Sequence, residues 1–285
     1  MLRFMSLLQA LILGIVQGIT EFLPISSTAH LRLVPALLGW PDPGAAYSAV
    51  IQLGTVAAVV LYFAKDLVVI ARAVVKGLLE KNPLGTVEAR LGWFVVVGTL
   101  PVVFFGLLLK KRIETDFRNL YVVALAAIGL ALVLLLAEKL AKHQRGLDDL
   151  TWTDSLVIGF AQCLALIPGA SRSGTTLTAG LFQGLKRDAA ARYSFLLSIP
   201  ATGGAGLLEL KHLYQAQQAG AGIGVAETLV GTVSSFVFGL LAIAGLLRFL
   251  RTRTTLVFVV YRVLLGIAIL LLLSKGVLVA EIPGK

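Results

Sequence analysis

Only one cysteine, Cys163, occurs in the 285 residues of this chain. That excludes an internal disulfide and a thiolate cluster of the kind that holds structural zinc. Charge is scarce too, with Asp, Glu, Lys and Arg together at 14%. No polar stretch is long enough to fold as a separate soluble domain, and no Gly-rich Walker-type loop with its Lys-Ser/Thr is present. Neither a nucleotide nor an organic cofactor is therefore indicated. The start, Met-Leu-Arg-Phe-Met-Ser, lacks a signal-peptide cleavage pattern, so the N-terminus is expected to be retained. Apolar residues are what the chain has in abundance: 58% of the total, with a mean hydropathy of +0.91. Runs long enough to span a bilayer recur along the whole length, which makes this an all-α polytopic membrane protein. Residues 1–285 read as a single membrane domain. The net charge of +10 does not indicate nucleic acid, because most basic residues sit in short loops between apolar runs. There they act as topology signals and as contacts to anionic membrane lipids.

Six full transmembrane helices are expected, near 44–64, 89–109, 119–138, 192–209, 225–247 and 255–274. Two further apolar stretches, about 4–39 and 153–184, are each split by a Pro/Ser/Gly motif. Each is expected to form a re-entrant helix pair, entering and leaving on one side of the membrane. The two halves match in order. Gly14 and Gln17 correspond to Gly159 and Gln162, then Pro24 and Ser27 to Pro168 and Ser171. Tyr47-Ser48 corresponds to Tyr193-Ser194, and Gly98-Thr99 and Gly106 to Gly231-Thr232 and Gly239. This order indicates a duplication, with repeat one at 1–140 and repeat two at 150–280. Each repeat holds an odd number of full spans, so the second should lie upside down relative to the first. Such inverted-topology repeats build their site at the repeat interface, near the bilayer midplane. Loops 65–90, 139–145, 186–192 and 248–253 carry most of the Lys and Arg, which places them in the cytoplasm and both termini outside. The cluster Lys110-Lys111-Arg112 argues the other way.

The first motif is Gln17-Gly-Ile-Thr-Glu21-Phe-Leu-Pro-Ile-Ser-Ser27-Thr-Ala-His30. Gln17 and Glu21, four residues apart, share one helix face. Pro24 ends the first half-helix near Phe22–Leu23, and Ser26 or Ser27 caps a second that starts around Thr28. The free N–H groups and positive dipole end of that start form an anion site. His30 falls in its first turn, close enough to share the site with Glu21 if the chain folds back sharply. The second motif, Pro168-Gly-Ala-Ser171-Arg172-Ser173-Gly174, repeats the break, with Ser171 as cap. Arg172 then lies at a helix N-terminus, the wrong end for its charge unless an anion occupies the same spot. Simpler roles stand beside these. Arg172 and Glu21 can form a structural ion pair, His30 can be a packed core residue, and Ser26 can serve as a cap alone. Together the two motifs make a phosphate cradle from Ser26, Ser27, Thr28, Ser171, Arg172 and Ser173, with Glu21 and His30 for proton transfer or attack. That set suits hydrolysis of a phosphoanhydride, in which charge stabilisation and positioning carry most of the catalysis.

These motifs resemble those of the bacterial undecaprenyl-diphosphatases, also called bacitracin-resistance proteins. The resemblance extends to Phe258-Val-Val-Tyr-Arg262 and, in length and hydropathy, to essentially the whole chain. It implies a multi-pass enzyme of the bacterial inner membrane that hydrolyses undecaprenyl diphosphate to undecaprenyl phosphate and inorganic phosphate. Such an enzyme recycles the lipid carrier of cell-wall synthesis and confers bacitracin resistance. The resemblance also implies roles for Glu21, Ser27, His30, Ser171 and Arg172, a site facing the periplasm, and support by a divalent cation such as Mg or Ca. Many members carry Glu where this chain has Gln17. An amide is no proton donor and a weak metal ligand, so Gln17 is expected to orient Glu21 and a two-carboxylate metal site is in doubt.

The nucleophile stays open among His30, Ser27 and water, with direct attack by His30 slightly preferred. Arg262, inside the last span, is expected to tie helices together or to snorkel to an interface. Arg32 is expected near phosphate or the headgroup region. A homodimer is left open. The alternative to hydrolysis is a polyprenyl-phosphate flippase or anion transporter built on the same inverted repeat.

Overall fold

The computed structural model describes residues 5–109, 112–113, 117, 119–218 and 223–280. The Lys110-Lys111 pair that bears on orientation lies outside them. The described residues form eleven α-helices and no strand: α1 (Leu7–Phe22), α2 (Ser27–Leu38), α3 (Gly44–Tyr62), α4 (Ala64–Leu79), α5 (Val87–Leu108), α6 (Leu120–Leu140), α7 (Trp152–Cys163), α8 (Arg172–Phe182), α9 (Arg187–Gln218), α10 (Val225–Leu250) and α11 (Leu256–Ser274). A short 3₁₀ turn, Leu164–Leu166, continues α7.

Among the described residues, five helices are long and apolar enough to cross a membrane: α3, α5, α6, α10 and α11. The sixth expected span, near 192–209, lies inside α9, a continuous 32-residue helix that is not among those five. Its sequence explains the difference. Arg187, Asp188, Arg192, Glu209 and Lys211 punctuate α9, and between its Leu pairs the segment 198–206 is mostly Gly, Ala, Ser and Thr. It packs along α3, α8 and α5 through those small residues; a side chain at Gly206 would meet Leu53 at 2.7 Å. The charged stretch after α3 forms α4, which lies against α5.

The two split stretches break as their prolines and serines require. α1 stops at Phe22, Leu23 turns extended before Pro24, and α2 begins at Ser27. α7 gives way to its 3₁₀ turn, and α8 begins at Arg172. The halves are interlocked, because α1 packs along α10 and α7 packs along α5. Glycines make both approaches close. A Cβ at Gly14 would lie 2.3 Å from the Gly231 carbonyl oxygen, and one at Gly159 would lie 2.5 Å from that of Gly98. Polarity is distributed inside out relative to a water-soluble protein. Leu107 and Leu125 on the spans are more than 60% exposed, whereas Gln17, Gln162 and Arg262 are wholly buried.

Candidate active site

Two serines set the local geometry. Ser26 (φ 72°, ψ 96°) caps α2, accepting from the Ala29 N–H, and Ser171 (φ 68°, ψ 109°) caps α8, accepting from the Gly174 N–H. Both lie at positive φ, where an L residue is strained, and such strain persists only where surrounding structure holds it. The counterpart of Ser171 is thus Ser26, one residue earlier than the Ser27 that the alignment of prolines pairs with it. The proline register misleads because the turn geometry follows the cap. A third positive φ, at Gly169 (92°), is obligatory: a Cβ there would sit 2.3 Å from the Val123 carbonyl oxygen.

These turns bring the motifs together. Ser173 Oγ donates to the Leu23 carbonyl at 3.0 Å, and the Gly169 N–H donates to Thr28 Oγ1 at 3.4 Å. At the junction lies a cavity of about 180 Å³ whose walls include Glu21, Ser26, Ser27, Thr28, Ser171 and Arg172. Glu21 is its hub. Its Oε2 accepts from Ser27 Oγ at 2.7 Å and from Gln17 Nε2 at 2.8 Å; its Oε1 accepts from Arg172 Nη2 at 3.2 Å. Gln17 thus meets Glu21 on one helix face, as its spacing predicts. Arg172 also donates through Nη1 to the Ser194 carbonyl at 2.9 Å, while its Nε has no partner among the described residues. The Arg172–Glu21 ion pair therefore forms, yet the guanidinium keeps a free donor in a cavity wall.

His30 stands elsewhere. It is buried but is not among the residues that wall the cavity. Its Nδ1 lies 2.7 Å from the Ser26 carbonyl and its Nε2 lies 2.6 Å from the Tyr261 hydroxyl, with the two rings stacked. A carbonyl only accepts, so Nδ1 carries the proton and Nε2 of the neutral ring accepts from Tyr261. The expected sharing of a site with Glu21 is indirect, through the backbone of Ser26.

Three further residues differ from or sharpen expectation. Arg262 does not snorkel: it is wholly buried, and its Nη2 donates to the Gly169 and Ala170 carbonyls at 3.1 and 2.8 Å, pinning the turn before Ser171. Arg32 pairs with Asp42 at 3.3 Å. Gln162 stands out in the sequence only as the match of Gln17, yet it walls the cavity. The signal available is the matched position itself.

The arrangement offers a hydroxyl bonded to a carboxylate, a guanidinium, and two capped half-helix starts around one small cavity. It is chemically suited to receive a phosphate ester and to transfer its phosphoryl group. Comparison with known proteins points the same way. Residues 10–268 match the family model described as bacitracin resistance protein BacA. An undecaprenyl-diphosphatase of Myxococcus xanthus (strain DK1622) is 62% identical over 288 aligned residues, covering 99% of this chain and 96% of that protein. One from Chlorobaculum tepidum is 53% identical over 281 residues, covering 95% and 99%.

Proposed function

This chain belongs to the bacitracin resistance protein BacA family, and we propose that it is an integral membrane undecaprenyl-diphosphatase whose chemistry takes place in the Glu21–Arg172 cavity. Hydrolysis yields undecaprenyl phosphate and inorganic phosphate. The carrying observation is the 2.7 Å hydrogen bond from Ser27 Oγ to Glu21 Oε2 in the wall of that cavity. Ser27 is the nucleophile. Its Oγ bonds to the terminal phosphorus as the bridging P–O bond breaks, its proton passes to Glu21, and the bridging oxygen leaves on the lipid monophosphate. Water then attacks the phosphoserine, and Glu21 returns the proton to the departing Oγ. Arg172 and the amides at the starts of α2 and α8 stabilise the charge that develops on the transferred phosphoryl group. The bond from Tyr261 occupies the lone pair with which His30 would attack, so His30 is assigned to hold the Ser26 turn.

A resident divalent cation fits this donor set poorly. Both Glu21 oxygens already accept hydrogen bonds, and the Arg172 guanidinium beside them repels a cation. A cation that serves the reaction would arrive on the diphosphate, whose oxygens are the better ligands.

α9 supplies the sixth span in this reading, and α1–α2 and α7–α8 are the re-entrant pairs of an inverted repeat. The reciprocal Gly14–Gly231 and Gly159–Gly98 contacts support it. In this reading the protein lies in the bacterial inner membrane with its termini and site toward the periplasm, an orientation supported by the Lys and Arg of loops 65–90, 139–145, 186–192 and 248–253. A flippase or anion transporter draws support from architecture alone and leaves the Ser27–Glu21 bond without a use.

Purified protein in detergent should release phosphate from undecaprenyl diphosphate, and Ser27→Ala should lose at least about a thousandfold of that rate. Acid quenching with labelled substrate decides the nucleophile. Acid-stable phosphoserine is expected; an acid-labile phosphoenzyme would identify His30 instead.

A further inference from the structure

We propose that Gln162 binds the substrate through the phosphate that remains on the lipid product, a contact additional to those of Arg172 and the serines; this rests on the hydrolase reading above. Gln162 lies at the end of α7, is wholly buried, and forms part of the cavity wall with Glu21, Ser27 and Arg172. Neither its Oε1 nor its Nε2 has a hydrogen-bond partner among the described residues. Buried amides are almost always partnered, and leaving one unmade destabilises the fold unless something else completes it.

The sequence explains why this amide is free. In the first half Gln17 donates to Glu21, four residues on along the same helix face. In the second half the residue four positions after Gln162 is Leu166, which offers no acceptor. The amide is kept where its intrahelical partner is missing.

Its surroundings indicate which phosphate it meets. Ala165 and Leu166, which follow in the 3₁₀ turn, form the apolar part of the wall together with Val102, Ala201 and Ala205. The guanidinium and most of the hydroxyls belong to the starts of α2 and α8, while Gln52 on α3 and Thr202 on α9 add two further polar groups to the wall. A polyprenyl diphosphate seated with its terminal phosphorus at Ser27 extends its tail toward the apolar wall, so its inner phosphate falls to Gln162. A neutral amide suits that position. Its N–H groups donate to the phosphate oxygens, and it adds no negative charge beside Glu21.

The test uses the full chain in detergent, comparing wild type with Gln162→Leu. Losing a donor to a charged group should raise KM for undecaprenyl diphosphate about tenfold or more, with kcat within about threefold. Inhibition by undecaprenyl phosphate should weaken in parallel, and inhibition by inorganic phosphate should not change. Ligand-free thermal stability should hold or rise, since an unpartnered amide is removed. A several-degree fall in Tm would show the amide to be a structural partner and overturn the assignment. So would an unchanged KM, or a weakening confined to inorganic phosphate. If Gln162→Leu does not fold, Gln162→Glu serves. Its carboxylate should raise KM further at neutral pH, and acid should relieve the defect relative to wild type; a pH-independent KM equal to wild type would overturn the proposal. Failure of wild type itself to release phosphate would instead overturn the hydrolase reading.

Discussion

Glycine would adopt the backbone angles of Ser26 and Ser171 with less strain, yet serine stands at both positions. Positive φ at a non-glycine residue costs on the order of 1–3 kcal/mol, whereas exchanging a serine cap for glycine costs only a few tenths. Ser26→Gly and Ser171→Gly should therefore leave Tm unchanged or higher in detergent. Phosphate release should still fall about tenfold or more, because each hydroxyl leaves the cavity wall. Stability lost together with activity would mean that the serines serve the fold alone. Arg262 presents the opposite case. Replacing it by Leu removes the donor from two buried carbonyls, and a loss of about 2 kcal/mol is expected in denaturant or thermal unfolding. At this scale the sequence was informative for Glu21, Ser27 and Arg172, whose chemistry is unusual inside a membrane. It was uninformative for His30, because whether an imidazole faces a cavity or a tyrosine 231 positions away depends on tertiary packing.

The helix breaks were readable for the same reason that they exist: Pro24 and Pro168 each stand before a serine that can cap the next half-helix. α9 was less readable, because small residues fill its middle and charges recur along it. Close packing between elements was visible only as scattered glycines, and the structure gives several of them a reason. A side chain at Gly14 would meet Ser234 Oγ at 2.0 Å and the Gly231 carbonyl at 2.3 Å, so α1 would have to back away from α10. Gly14→Val and Gly159→Val should each destabilise by about 1–3 kcal/mol or more through overpacking. Gly129→Ala, where nothing lies within 4 Å, should be neutral or mildly stabilising. Thermal unfolding of the three variants in one detergent checks both halves of the expectation.

For the whole molecule, membrane character was plain from composition, and the matched motifs indicated that two distant segments meet. Neither composition nor motif spacing specified that α1 would pack on α10 rather than beside its own neighbours, since that depends on shape complementarity between helices. The proposed orientation is open to a direct check, because the native sequence has one cysteine to remove. In a Cys163→Ser background, Val225→Cys and Thr252→Cys place exposed thiols at opposite ends of α10. A membrane-impermeant thiol reagent applied to intact cells should label the first and spare the second; the reverse pattern would invert the topology.

The pairing of α1 with α10 also bears on biogenesis. α1 is synthesised well before α10, its principal neighbour, with α2 to α9 made in between. Until α10 follows, Gly14 and Gly18 of α1 must wait without the helix that packs against them. Translation arrested before α10 emerges should leave α1 loosely inserted and open to proteolysis.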